Sequence, residues 1–75
     1  MHKLCDINEN NRVKVEDLLS DGNLRERMLA LGLTKGTYVD VIRKGPRNNL
    51  TVYKIRGSKI ALRREEGELI LVSTM

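Results

Sequence analysis

The clearest local pattern in the chain lies in residues 24–36, which read Leu24-Arg25-Glu26-Arg27-Met28-Leu29-Ala30-Leu31-Gly32-Leu33-Thr34-Lys35-Gly36. Leu24, Met28 and Leu31 recur at i, i+4 and i+7, which is the spacing of one apolar face on an α-helix. Asn23 is a candidate N-cap, and Glu26, three residues later, completes a capping box. The pattern predicts one amphipathic helix over residues 24–31.

Two glycines end this segment. Gly32 stands where a helix that ends in a Schellman motif needs a left-handed residue, and Leu33 follows at the position that packs back on the last turn. Gly36 then supplies a positive φ for a second turn if that turn is of type II. The helix is therefore expected to stop at Gly32 and to be followed by a tight reversal.

The rest of the chain alternates short apolar and polar residues between turn signals. This pattern predicts five strands, over residues 12–19, 37–44, 50–56, 59–63 and 68–73. Gly57 turns the third strand into the fourth, and the inward positions of the last two strands are Ile60, Leu62, Ile70 and Val72. The fold class expected is mainly β, a small SH3-like barrel of about five strands with one short α-helix inserted between the first two.

Domain organisation follows from the length and from where periodicity begins. A chain of 75 residues forms one small domain with a thin core. We expect residues 1–12 to be a flexible N-terminal segment and residues 13–73 to form the folded domain. Such a core has no room for a deep substrate cavity, so the chain is expected not to be an enzyme.

Reactive and metal-binding side chains are few. Cys5 is the single cysteine and His2 the single histidine, and with Asp6 they lie in the segment expected to be flexible. They cannot complete a tetrahedral zinc site, and no phosphate-binding loop is present. We predict no catalytic residues, no metal site and no cofactor. A single cysteine and the lack of a long apolar run favour a reducing cytoplasm.

The charge is concentrated in the second half of the chain. Residues 1–40 carry six Lys or Arg and seven Asp or Glu, whereas residues 41–75 carry eight and three. Three interpretations remain open for the basic half: a solvated outer strand face, a surface for an acidic protein, or a nucleic-acid surface. Only two tyrosines and no Phe or Trp are present, which argues against base stacking and against a proline-peptide groove.

The helix offers one further candidate surface. Its core face accounts for Leu24, Met28 and Leu31, so Leu29 or Leu33 could remain partly exposed beside the turn at residues 34–36. An exposed apolar residue there would be a natural docking patch.

The order and spacing of several pieces resemble the FeoA family. These pieces are residues 24–36, then Val39-Asp40-Val41, then Gly57-Ser58-Lys59-Ile60-Ala61-Leu62-Arg63, and last Glu66-Gly67-Glu68-Leu69-Ile70-Leu71-Val72. The resemblance spans residues 13–72. The chain departs from the family pattern in having Lys35 for Pro, Gly67 for Ala, and Arg47-Asn48-Asn49 in the loop after the second strand.

The resemblance implies an SH3-like barrel, similar to the C-terminal domain of DtxR-like regulators, in a cytosolic accessory protein of bacterial ferrous iron uptake. Its implied partner is the cytosolic, GTPase-containing part of the FeoB transporter. The alternatives are an RNA- or ribosome-binding barrel that uses the basic half, and a metal-sensing module. The partner-binding candidates are Leu29, Leu33, Lys35, Arg43, Lys44, Arg47 and Arg56.

Overall fold

The structure is a computed structural model, and it describes residues 1–74. Six strands and two helices follow one another in the order β1 His2–Lys3, β2 Arg12–Leu18, α1 Gly22–Ala30, β3 Tyr38–Lys44, β4 Leu50–Ile55, β5 Ser58–Arg63, α2 Arg64–Gly67 and β6 Ile70–Thr74. Two short 3-10 turns, Leu4–Asp6 and Pro46–Asn48, lie between them.

All six strands belong to one antiparallel sheet with the order β1-β6-β2-β3-β4-β5. The register shifts between Val15 and Asp17 on β2 and between Val41 and Arg43 on β3. An extra residue in one strand of a pair bends and twists the sheet, so these two positions let a single sheet wrap around its core. The mainly β, SH3-like fold predicted from the sequence is confirmed.

The core fills the inside of this bent sheet. It is built from the alternating valines and isoleucines of the strands, with Tyr53 as its largest member and Met28 as the contribution of α1. Leu62, Ile70 and Val72 are buried as the alternation predicts, whereas Leu24, Leu31 and Ile60 are only partly buried against the core. The helix therefore lies on the rim of the core with one side chain inserted.

Helix α1 ends as predicted but begins earlier. The Leu33 N–H donates to the Met28 carbonyl and the Gly32 N–H to the Leu29 carbonyl, both at 3.0 Å, and Gly32 has a φ of 99°. These are the two hydrogen bonds of a Schellman motif. The predicted capping box of Asn23 and Glu26 is wrong, because the helix starts at Gly22 with Asp21 as an N-cap that makes no side-chain bond.

The first residues of the chain are part of the fold. Strand β1 pairs with β6, with His2 opposite Val72, and the side chains of Leu4, Cys5 and Ile7 are buried. The prediction of a flexible segment over residues 1–12 disagrees with this packing. The residues of this segment form two strand positions and one 3-10 turn, which are too short to produce a periodic pattern.

The N-terminal turn, Leu4–Asp6, also contacts the loop between β3 and β4 and helix α2. Asn48 Nδ2, in the loop between β3 and β4, donates to the Cys5 carbonyl at 2.8 Å. At α2, a Cβ on Gly67 would lie 2.9 Å from the Cβ of Cys5, so the two backbones are in close contact. Helix α2, which occupies the predicted turn at residues 64–67, therefore packs directly on the N-terminal turn.

Candidate partner-binding surface

The end of α1 brings three of the predicted partner-binding residues together around Gly32. Leu29 is 39% exposed, and Lys35 is exposed in the turn that follows. Arg56 reaches the same place from the turn between β4 and β5, where its Nη2 donates to Thr34 Oγ1 at 3.2 Å. We refer to Leu29, Lys35 and Arg56 as the turn-end patch.

Gly32 is what allows Arg56 to lie there. A Cβ on Gly32 would stand 2.7 Å from Arg56 Cδ, so the arginine side chain crosses the space that any other residue would fill. Leu33, in contrast, is completely buried. Its proposed role in partner binding is corrected, because its side chain forms the apolar contact that closes α1 onto the core.

The other predicted basic residues lie at the opposite end of the sheet. Arg43, Lys44 and Arg47 surround the loop between β3 and β4, and this loop is held by the bond from Asn48 to Cys5. Arg43 pairs with Val52 and Lys44 with Thr51, four and five residues before Arg56. With a rise of about 3.3 Å per residue, the backbones of the two basic groups lie roughly 13–17 Å apart along β4. The basic candidates thus form two groups, which the linear sequence could not show.

A row of charges crosses the outer face of the sheet from β2 to β5. Arg12 lies opposite Asp40, Asp40 opposite Lys54, and Lys54 opposite Lys59. The Arg12 Nε donates to Asp40 Oδ1 at 2.7 Å, and this bond holds the pKa of the Asp40 carboxyl below its usual value. Asp40 lies between Arg12 and Lys54 and interacts with both, whereas Lys54 and Lys59 stand opposite each other as like charges, an unfavourable cross-strand pair.

A cleft that the sequence did not indicate runs along β5, beside the end of α1. Its volume is about 420 Å³, and Arg27 of α1 forms an ion pair with Glu66 of α2 at its wall. We call it the β5 cleft, and the other residues that line it are Leu31, Leu50, Ile60, Ala61, Leu62 and Arg63. Leu50 is 49% exposed, so part of the lining is an accessible apolar surface. Sequence periodicity could assign β5 but not its position at the edge of the sheet.

The reactive side chains lie apart from these surfaces. Burial and the neighbouring Asp6 raise the pKa of the Cys5 thiol, and a protonated thiol is a weak nucleophile. His2 and Asp6 line a separate cleft of about 530 Å³, whereas Cys5 is buried against Gly67. Within residues 1–74, no three His, Cys, Asp or Glu side chains are grouped closely enough to hold a metal ion.

A single bent six-stranded sheet around a small core, with apolar and cationic side chains displayed on its outside, defines an SH3-like domain. Neither helix found in residues 1–74 has the length and apolar character needed to cross a membrane. The chain matches the model of the FeoA domain over residues 2–74. It therefore belongs to the FeoA family, which is linked to ferrous iron transport, and the resemblance noted in the sequence is confirmed.

Solved structures agree with this assignment. The FeoA protein from Chlorobium tepidum is 27% identical, with a TM-score of 0.90 over 99% of this chain and 70% of that one. The zinc complex of FeoA from Stenotrophomonas maltophilia, 22% identical, has a TM-score of 0.86 over 97% of this chain and 91% of that one. That protein is described as an SH3 domain protein and suggested to be a ferrous iron transport activating factor.

The fold recurs in regulators. A manganese-dependent transcriptional repressor is 12% identical, with a TM-score of 0.88 over 99% of this chain and 41% of its own. This likeness concerns the fold alone. No curated protein matches the chain.

Proposed function

We propose that this protein is a non-enzymatic cytosolic accessory protein of ferrous iron uptake, which binds the cytosolic, GTPase-containing part of the FeoB transporter and modulates it. The observation that carries the proposal is the match to the FeoA domain over residues 2–74, which includes nearly every described residue. The suggested activating role of the related Stenotrophomonas maltophilia protein supports the same process.

The turn-end patch has the composition expected of a small protein interface. Leu29 is its exposed apolar residue, and Lys35 and Arg56 provide cationic side chains near the same turn. Protein interfaces combine a desolvated apolar centre with a polar rim that keeps water out. The Schellman bonds hold the backbone at the end of α1, and the bond from Arg56 Nη2 to Thr34 Oγ1 joins the Arg56 side chain to the following turn.

The non-enzymatic part of the proposal is supported by the state of the two most reactive buried groups. The pKa of the Cys5 thiol is raised, and burial raises the pKa of Tyr53 to about 12. Both groups are thus protonated at neutral pH, where neither acts as a base or nucleophile.

Binding kinetics of the full chain on the cytosolic domain of FeoB test this proposal. Leu29→Ala should speed dissociation by about fivefold to thirtyfold, the effect of losing 1–2 kcal/mol at an interface centre. Lys35→Glu should mainly slow association, because rim charges steer the encounter. Leu19→Ala is the matched control, since Leu19 is 53% exposed and lies before the start of α1.

Two results would contradict the proposal. One is the absence of binding to the FeoB cytosolic domain by the folded wild-type chain. The other is a dissociation rate for Leu29→Ala that is no faster than that for Leu19→Ala, which would place the interface away from the turn-end patch.

A further inference from the structure

Strand β5 is an edge of the sheet, and the hairpin that precedes it fixes which of its backbone groups face outward. Arg56 and Gly57 both have positive φ, as in a two-residue type I′ turn, so Ile55 and Ser58 form the first hydrogen-bonded pair. Every second pair of an antiparallel ladder is hydrogen bonded. The bond of 3.0 Å from the Arg64 N–H to the Asn49 carbonyl continues the same alternation.

This alternation leaves the backbones of Lys59, Ala61 and Arg63 pointing away from β4. The Arg63 N–H is already bound by Glu66 Oε1 at 2.9 Å. The alternation turns the N–H and carbonyl of Ala61 away from β4, and in residues 1–74 no strand pairs with the other side of β5. An unpaired strand edge is a template on which another extended segment can bind.

The β5 cleft provides space for the side chains of such a segment on both faces of the sheet. On the inner side, Leu31 and Ile60 are partly buried and form an apolar wall below α1. On the outer side, the small side chain of Ala61 leaves room next to Leu50, which is 49% exposed. Alternate residues of an added strand would therefore meet two different surfaces.

The charges around this edge define what the added strand must carry. Lys59 and Arg63 flank Ala61 on the outer face, and Lys54 stands directly opposite Lys59 on β4. Two acidic groups on neighbouring elements are engaged, Asp40 with Arg12, and Glu66 with Arg27 and the Arg63 N–H. Acidic side chains opposite Lys59 and Arg63 would form favourable cross-strand pairs and relieve the repulsion between Lys54 and Lys59.

The same charges disfavour a second copy of this chain as the occupant. In an antiparallel pair of two β5 strands centred on Ala61, Lys59 of one copy would stand opposite Arg63 of the other, at both ends. Like charges directly opposite each other are destabilising.

We propose that the β5 edge binds an extended acidic protein segment by antiparallel strand addition. The segment carries acidic residues opposite Lys59 and Arg63, apolar residues opposite Ile60 and Leu62, and pairs its central residue with the free backbone groups of Ala61. This site is separate from the turn-end patch, and it does not depend on FeoB as the source of the segment.

The probe is the blocked peptide Ser-Glu-Val-Thr-Val-Glu-Ser, titrated against the full chain while amide resonances are followed by NMR. The expected result is a saturable shift of the Ala61 amide. N-methylation of the central Thr removes the donor to the Ala61 carbonyl and should weaken binding about tenfold or more. This comparison uses the wild-type protein, so it does not depend on any variant folding.

Variants of the protein give the matched comparison. Ala61→Pro removes the outward N–H without taking a bond from β4, which is a position where edge strands tolerate proline, and should abolish binding. Ala61→Ser keeps the N–H and should bind as the wild type does. Lys59→Glu with Arg63→Glu should reverse the preference, towards Ser-Lys-Val-Thr-Val-Lys-Ser.

The proposal is overturned if the acidic peptide gives no saturable binding up to about millimolar concentration, which is the weak limit of a specific contact. It is also overturned if N-methylated and unmodified peptides bind equally, if both charge patterns bind equally, or if the edge instead forms a dimer that Ala61→Pro dissociates. Leu29→Ala should leave peptide binding unchanged, so failure here and failure of the FeoB proposal are distinguishable.

Discussion

Gly32 determines two features at once, the end of α1 and the position of the Arg56 side chain. Its φ of 99° is a conformation that a β-branched residue adopts only under strain, and its missing Cβ leaves the space that Arg56 Cδ occupies. Gly32→Val should therefore lower the free energy of unfolding by at least about 1–2 kcal/mol, measured by urea denaturation.

Gly36→Ala is the control for Gly32→Ala, because Gly36 has a φ of 91° and a Cβ on it would meet nothing within 4 Å. The Gly36 variant reports the backbone strain alone, whereas the Gly32 variant adds the clash with Arg56. A decrease in unfolding free energy below about half a kcal/mol for Gly32→Val would mean that Gly32 is not the residue that ends the helix.

The ionisation of Tyr53 is expected to lower the stability of the fold at alkaline pH. Burial raises its pKa to about 12, whereas an unfolded tyrosine titrates near 10. Since the folded pKa is the higher one, the stabilisation is complete below pH 10 and is lost as the pH rises from 10 to 12. We expect a loss of about 2–3 kcal/mol over this window.

The measurement uses the Tyr38→Phe variant, in which the absorbance of tyrosinate reports on Tyr53 alone, because the chain has two tyrosines. Denaturation of the same variant at each pH gives the stability. Ionisation of Tyr53 near pH 10 in the folded protein would contradict the prediction.

At the scale of the elements, the N-terminal segment gives the sharpest difference between the sequence and the structure. Leu4 is fully buried and belongs to the central cluster. Leu4→Ala should lower the free energy of unfolding by about 2–5 kcal/mol, as other large-to-small core substitutions do. A flexible segment would give no decrease, and Met1→Ala, at a side chain that is 81% exposed, is the control.

The sequence correctly predicts those elements whose defining pattern lies within a few neighbouring residues. The Schellman end of α1 and the alternating valines of β2 and β3 are signals of this kind, and the structure has them where the sequence indicated. The predicted start of α1 is wrong, because Asn23 and Glu26 match the capping-box pattern, whereas the helix begins at Gly22 and does not use that box.

Contacts between distant residues could not be predicted in this way. Gly67 lets the N-terminal turn pack closely against α2, because any other residue at this position would place a Cβ 2.9 Å from the Cβ of Cys5. Cys5 lies sixty-two residues earlier in the chain. The β5 cleft likewise forms because α1 lies beside β5, and these two elements are separated in the chain by β3 and β4. Neither residue spacing nor composition contains that information, since it arises from the packing of segments that are distant in the chain.

At the scale of the whole molecule, the distance between the two basic groups allows a binding experiment to distinguish a protein partner from RNA. The backbones of the turn-end patch and of the group of Arg43, Lys44 and Arg47 lie roughly 13–17 Å apart along β4, which exceeds the Debye length of about 8 Å at physiological ionic strength. An RNA strand could follow both groups, whereas a protein bound at one of them would hardly sense the other. Tyr53 is 1% exposed, which leaves only Tyr38 available for base stacking among residues 1–74.

Charge reversal at each group in turn therefore separates the two functions. If FeoB is the ligand, Lys35→Glu should slow association several-fold while Arg43→Glu with Arg47→Glu changes it little, because screening confines each charge to its own neighbourhood. If RNA is the ligand, either change should weaken binding to every sequence tested. The slope of log affinity against log salt would then fall by roughly 0.7 to 0.9 for each phosphate that the protein no longer neutralises. Sub-micromolar binding of RNA at physiological salt with this behaviour, and none to the FeoB cytosolic domain, would replace the transport function by an RNA-binding one.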